Sequence, residues 1–168
     1  MSQLSPDKYL SVLDDLLKKG KTVQVAVSGM SMFPMLMKGD VVLVKQESYE
    51  DLKKGDIVVF KIDVTSNNHI QNKTKKNTEI WVAHRLLKKN NGKLITQGDG
   101  NRVKDTVLSF NKVKGVVVKV TKSKWRLASL STKWPGRALA YTSIVSGPAL
   151  WLLGKAASKI YRMLKKNL

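Results

Sequence analysis

A valine-rich run, Val25-Ala26-Val27, stops abruptly at Ser28-Gly29. It is followed by Met30-Ser31-Met32-Phe33-Pro34-Met35-Leu36 before a second run begins at Lys38-Gly39-Asp40-Val41-Val42-Leu43-Val44. Branched side chains favour extended backbone and Ser-Gly interrupts it, so the pattern dictates strand, turn, strand, with Ser31 at an exposed turn. Met30, Met32, Phe33 and Met35 are too apolar for a bare loop and are expected to line a groove or touch a lipid surface. The Lys-Gly-Asp opening returns at Lys54-Gly55-Asp56-Ile57-Val58-Val59-Phe60-Lys61. This echo reads as one turn-strand geometry used twice, with Asp40 and Asp56 as turn residues, and it is too short for a duplicated domain.

Further short apolar segments follow the same style. Ile80 to Leu87 reads as a strand carrying one histidine, His84. Asn90-Asn91-Gly92 supplies a hairpin turn, Leu94 to Thr96 a returning strand, and Val116 to Val120 another. Residues 65–78 are polar and basic without periodicity and read as a surface insertion, with His69 as a solvated loop residue. Before the first strand, Ser5 as N-cap, Pro6 at the first position, Asp7 in the first turn and Gly20 as the stop mark a helix. Tyr9, Leu10, Leu13, Leu16 and Leu17 fall on one of its faces, expected to pack on the sheet. The fold class is therefore mainly β, with one N-terminal helix and a C-terminal basic, amphipathic helical tail.

The 168 residues, 42% of them hydrophobic, suffice for one core of ordinary size, hence one catalytic or binding domain with appendages. With no cysteine the chain has no disulfide, no thiolate nucleophile and no cysteine metal site. With two histidines a zinc site is not expected, and no cofactor is implied. A formal charge of +19 predicts an anionic partner, either lipid or nucleic acid.

A serine hydroxyl becomes a nucleophile only beside a base that takes its proton. Downstream stand His84-Arg85 and the acidic loop Thr96-Gln97-Gly98-Asp99-Gly100-Asn101-Arg102-Val103-Lys104-Asp105. Ser-Met-x-Pro, Gly-Asp-x-Val, a second Gly-Asp, His-Arg and Gly-Asp-x-Asn, in that order, resemble type I signal peptidase over about residues 23 to 120. The likeness is to the Ser-His-Asp branch of the endoplasmic reticulum, archaea and SipW-like bacterial enzymes, which shares a β-rich fold with LexA-like proteins. The resemblance implies Ser31 as nucleophile, His84 as general base and Asp105 as the carboxylate that orients the imidazole, with Asp99 in support. The choice of Asp105 over Asp99 rests on family spacing alone. By pattern alone, His84 reads as a satisfied core residue.

In the same terms Ser28, Gly29 and Met30 flank the nucleophile, and Met32, Phe33 and Pro34 belong to the substrate groove. Many signal peptidases carry a serine where Gly29 stands, so Ser28 or backbone N–H groups must hold the oxyanion, each donor being worth roughly 3 kcal/mol. Ser28-Gly29-Met30-Ser31-Met32 is also similar to LexA-type self-cleaving repressors, which use a lysine base where this chain offers His84.

From Thr121 onward there is no Asp or Glu, and Trp125, Trp134, Tyr141, Trp151 and Tyr161 are interleaved with cations. Residues 138–154 carry no charge and would extend about 26 Å as a helix, short of a bilayer core of about 30 Å, with Gly147-Pro148 breaking the middle. The expected organisation is a helix at 1–21, a serine peptidase domain at 22–120 and an aromatic, basic, membrane-associating tail at 121–168. The tail is expected to form an interfacial or re-entrant helical hairpin, with a spanning helix second and an amphipathic tail folded over the catalytic domain as the further alternative. No cleavable signal or leading anchor is visible, and basic flanks around the apolar run favour the cytoplasmic face. A peptide or preprotein substrate, an anionic membrane surface and a partner membrane subunit are the expected partners. Nucleic acid is not, because no recognised binding module is present. The functional expectation is a serine endopeptidase that cleaves a precursor or leader peptide after small residues. The alternatives are a LexA-type self-cleaving regulator and a non-catalytic basic membrane or nucleic-acid adaptor.

Overall fold

The computed structural model describes residues 5–65 and 77–124, together with 128, 131, 132, 137, 138, 152 and 156. His69, most of the 65–78 insertion, the tail aromatics and nearly all of the uncharged run lie outside the described residues. The chain begins with helix α1 (Pro6–Lys18) and continues through β1 (Val23–Ala26), β2 (Val41–Lys45), β3 (Ile57–Thr65), β4 (Asn77–Asn90), β5 (Lys93–Gln97), β6 (Leu108–Ser109) and β7 (Val113–Lys122). A single 3-10 turn, Phe110–Lys112, joins β6 to β7. The seven strands form one antiparallel sheet in the order β1-β2-β7-β3-β4-β5-β6, so β1 and β6 are its edges. The mainly β expectation holds.

Local chemistry explains the punctuation. Helix α1 stops where Gly20 turns to φ +71°: its N–H donates to Leu17 O at 2.9 Å and the Lys21 N–H donates to Leu16 O at 3.0 Å, which satisfies two terminal carbonyls. Ser5 stands at the N-cap, but its hydroxyl makes no capping bond. The β4–β5 hairpin turns through Asn91 and Gly92, both at positive φ, as a two-residue loop requires. The two Gly-Asp turns share one geometry. Gly39 and Gly55 have φ +97° and +94°, and Asp40 Oδ2 and Asp56 Oδ2 each accept the N–H three residues earlier, from Met37 and Lys53, at 2.8 Å.

Two apolar clusters hold the sheet. One unites Leu13 and Leu17 of α1 with Val42, Val44, Ile57, Val59 and Val117; the other gathers Leu52, Val58, Phe60, Leu86, Leu94 and Val116. Each fully buried aliphatic side chain is worth about 1.5–3 kcal/mol.

Several sequence expectations are corrected. Leu10, Leu13 and Leu17 pack on the sheet, whereas Tyr9 and Leu16 stay 45% and 39% exposed, because a helix on a flat sheet buries a narrower stripe than its full apolar arc. The insertion expected at 65–78 is trimmed at both ends, since β3 runs to Thr65 and β4 starts at Asn77, paired with each other. The boundary expected at residue 120 falls inside β7, which runs to Lys122 and stays paired to β2 at Val41.

Candidate active site

The serine turn connects edge strand β1 to β2, and the loop after β5 holds it in place. The Gly100 N–H donates to the carbonyl of Ser31 at 2.8 Å. A Cβ at Gly98 would collide with that carbonyl, and one at Gly100 would lie 3.1 Å from Phe33 O and 3.3 Å from Met30 O. Gly98 therefore needs glycine for close backbone approach, and Gly100 is a tight fit against the same turn. Gln97 pairs with Arg85 across the antiparallel β4–β5 ladder, so Gly98 comes level with His84. Ser31 is half-buried and His84 buried, and the approach of Gly98 to the Ser31 carbonyl puts the serine turn beside the part of the β4–β5 ladder next to His84.

His84 sits on β4 opposite Val58 and lies edge-on to the Phe60 ring at 5.9 Å between centroids. Its Nδ1 is 2.6 Å from Asp105 Oδ2. An ionised carboxylate only accepts, so Nδ1 is the donor in this contact. Asp105 is fixed in turn: its N–H donates to Thr96 O at 2.8 Å, and Thr96 Oγ1 donates to Asp105 Oδ2 at 2.7 Å. Thr96 was not singled out by the sequence. Its signal is its place at the end of β5, nine residues before the carboxylate it supports.

Asp99, the other candidate carboxylate, is taken by Arg85. Arg85 Nε and Nη2 donate to Asp99 Oδ1 and Oδ2, each at 2.6 Å, in a fork that leaves Arg85 1% exposed. Burial pushes the Asp99 carboxyl above its usual value, while the bonds and charge of Arg85 and the charge of His84 pull it the other way. The pair fixes the 98–101 loop and with it the Ser31 carbonyl. Asp105 is therefore the carboxylate at the imidazole, and Asp99 is the partner of Arg85.

The residues around Ser31 divide. Met32 is 2% exposed and belongs to the core cluster of α1 and β2, which corrects its expected place in a groove: the turn folds it inward against Leu36 and Val42. Phe33 and Pro34, joined by a cis peptide, are half-buried. Ser28 and Gly29 are exposed, and a Cβ at Gly29 would meet only Ser31 N, at 4.0 Å. Glycine there is thus a chemical difference from a serine-bearing site, with no steric demand behind it. Asp40 and Asp56 serve their turns. Among the described residues no cluster of three His, Cys, Asp or Glu could hold a metal.

Comparison with known proteins adds one finding. A model of the Peptidase S24-like family matches residues 1–91, a stretch that contains both Ser31 and His84. No curated protein and no solved structure matches the chain.

Proposed function

The chain belongs to the Peptidase S24-like family, and from that premise we propose that it is a serine endopeptidase using Ser31, His84 and Asp105. The observation that carries this reading is the 2.6 Å contact of His84 Nδ1 with Asp105, at the end of the sheet where Gly98 and Gly100 grip the Ser31 carbonyl. In the proposed reaction His84 Nε2 takes the Ser31 proton as Oγ attacks the scissile carbonyl, and Asp105 stabilises the imidazolium. The imidazolium returns that proton to the leaving amine. Water, deprotonated by the same nitrogen, then frees the acyl group from Oγ. Ser28 or backbone N–H groups hold the oxyanion, because Gly29 brings no hydroxyl.

The substrate reaches Ser31 as an extended peptide along β1, the free edge of the sheet that leads into the serine turn. In the finer reading the enzyme resembles signal peptidase and cuts a precursor or leader peptide after small residues. The basic tail from residue 121 holds it at an anionic membrane surface, on the cytoplasmic side, with or without a partner membrane subunit. Among the described residues no helix is long and apolar enough to cross a membrane. A LexA-type self-cleaving regulator is the second reading, favoured by the family match itself. The histidine at Asp105 speaks for the first, because such regulators use lysine.

Incubation with precursor peptides, read by product mass, tests the proposal. Ser31→Ala is expected to abolish cleavage, and Asp105→Asn to lower kcat by roughly 10^3–10^4. Cleavage that survives Ser31→Ala would end the reading. Cleavage only of the chain itself, never of added peptide, would establish the second.

A further inference from the structure

Arg85 makes more bonds than Asp99 uses. Its Nη1 donates to the carbonyl of Gly55 at 2.7 Å and to that of Ser131 at 3.1 Å, reaching 30 and 46 residues along the chain. Ser131 is 0% exposed, and its N–H donates at 3.1 Å to the carbonyl of Ala128, which is itself buried in the α1–β2 cluster. The Gly55 turn is covered from outside by Arg137. A Cβ at Gly55 would stand 2.8 Å from Arg137 Cβ, 2.9 Å from its carbonyl oxygen and 3.0 Å from its Cα. Arg137 Nη2 donates to Asp56 Oδ1 at 2.7 Å, while the other oxygen of that carboxylate holds the Lys53 N–H.

We infer that the chain at Ala128, Ser131 and Arg137 is a strap that positions the catalytic loop, acting on the reaction through Arg85 and Asp99. The inference rests on the peptidase reading above and deepens it. A strap seated over Gly55 presents the Ser131 carbonyl to Arg85, and the guanidinium, anchored on that side, holds Asp99 on the other. Asp99 lies between Gly98 and Gly100, the two glycines against the Ser31 carbonyl. Lifting the strap therefore loosens the turn that carries the nucleophile, and small displacements of a reacting group cost rate steeply. The contacts differ in exposure: Arg137 is 43% exposed on its side chain, whereas Arg85 is buried. A partly exposed guanidinium on a buried carboxylate latches a buried clamp.

The chain has no cysteine, so Ser131→Cys gives a single thiol, and it replaces a hydroxyl that makes no hydrogen bond. Two readouts on the full chain then separate strap from chemistry. Thiol reactivity of residue 131 reports seating. The rate at which an aryl fluorophosphonate labels Ser31 reports nucleophile activation: Oγ bonds to phosphorus, fluoride leaves, and the proton passes to His84. In the Ser131→Cys background, Arg137→Ala is expected to speed thiol reaction and slow Ser31 labelling, each on the order of tenfold, with Arg137→Lys restoring both. Gly55→Ala, which displaces the strap backbone by contact, should act in the same direction. A thiol that becomes reactive while Ser31 labels at the unaltered rate would overturn the inference, leaving the strap a passive cover. So would both rates standing unchanged in Arg137→Ala and Gly55→Ala. Ser31 that never labels in the unaltered protein would instead overturn the peptidase reading, and the positioning role with it.

Discussion

The two Gly-Asp turns, at Gly39-Asp40 and Gly55-Asp56, are locally the same object. Their glycines differ by three degrees in φ, +97° against +94°, and their aspartates accept equivalent backbone bonds at 2.8 Å. Their surroundings are unlike. Among the described residues nothing lies within 4 Å of a Cβ at Gly39, whereas Gly55 is pressed beneath Arg137 and gives its carbonyl to Arg85. The first turn opens β2 and is tied to the strand that enters the serine turn, with Gly39 N–H donating to Val27 O and Val27 N–H donating to Asp40 O, each at 2.8 Å; the second is tied to Leu86 in the same way and, through Arg85 and Arg137, also joins the Asp99 loop to the start of the tail. Local sequence sets the shape of a turn, and what docks on it sets its task.

Substitutions can break this comparison, beginning with the largest effect. Arg85→Ala removes the cation from the Gly55 side and leaves Asp99 buried without its partner, a loss of about 3–5 kcal/mol expected from denaturant unfolding. A loss below 1 kcal/mol would mean that the fork carries little. Next, Gly39→Ala and Gly55→Ala both force alanine to positive φ, at a cost of about 1–3 kcal/mol. Gly55→Ala should cost measurably more because its methyl meets Arg137 backbone, and equal melting shifts would show the two turns to be equivalent after all.

Asp40→Ala should cost about 1 kcal/mol for one lost turn bond to the backbone. Asp56→Ala loses that bond and the Arg137 pair, so the gap between the two variants measures the latch; because Arg137 is partly exposed, it should stay under about 1 kcal/mol.

The smallest effect is an acid titration that sets a scale for ties lying outside both turns. Burial pushes the Asp14 carboxyl up, but hydrogen bonds and charge from Lys114 and Lys18 outweigh it and hold its pKa below 3.8. A lowered carboxyl contributes stability above its unfolded value and loses it as pH falls through the folded one. The Asp14→Asn variant should therefore differ from the unaltered chain above pH 3.8 and converge with it in stronger acid.

What could be read from residue order was whatever adjacent residues decide. The Gly-Asp turns, the Asn91-Gly92 hairpin, the helix stop at Gly20 and the strands around them follow from backbone preferences of neighbouring residues. His84 and Asp105 were legible through motif order, and their 2.6 Å contact agrees with that order and with the family spacing on which Asp105 was preferred to Asp99. Met32 was misplaced because an apolar residue in a turn looks the same whether it points at solvent or into the core. Tyr9 and Leu16 were misplaced for a related reason, since helical periodicity reports an arc and the sheet decides how much of it is covered. The two-residue strand β6 had too little pattern to be seen. The bonds from Arg85 to Ser131 and from Arg137 to Asp56 were invisible because they join residues 46 and 81 positions apart, and the Ser131 carbonyl has no residue signature.

The reach of Arg85 along the chain imposes an order on biosynthesis. Its guanidinium leaves the ribosome 14 residues ahead of Asp99 and 46 ahead of Ser131, so for that interval it is a cation with part of its cradle still untranslated. A nascent chain carries Ser31 early yet lacks the last acceptor of the guanidinium until residue 131 has emerged, so completion of the Arg85 cradle trails synthesis of everything it holds.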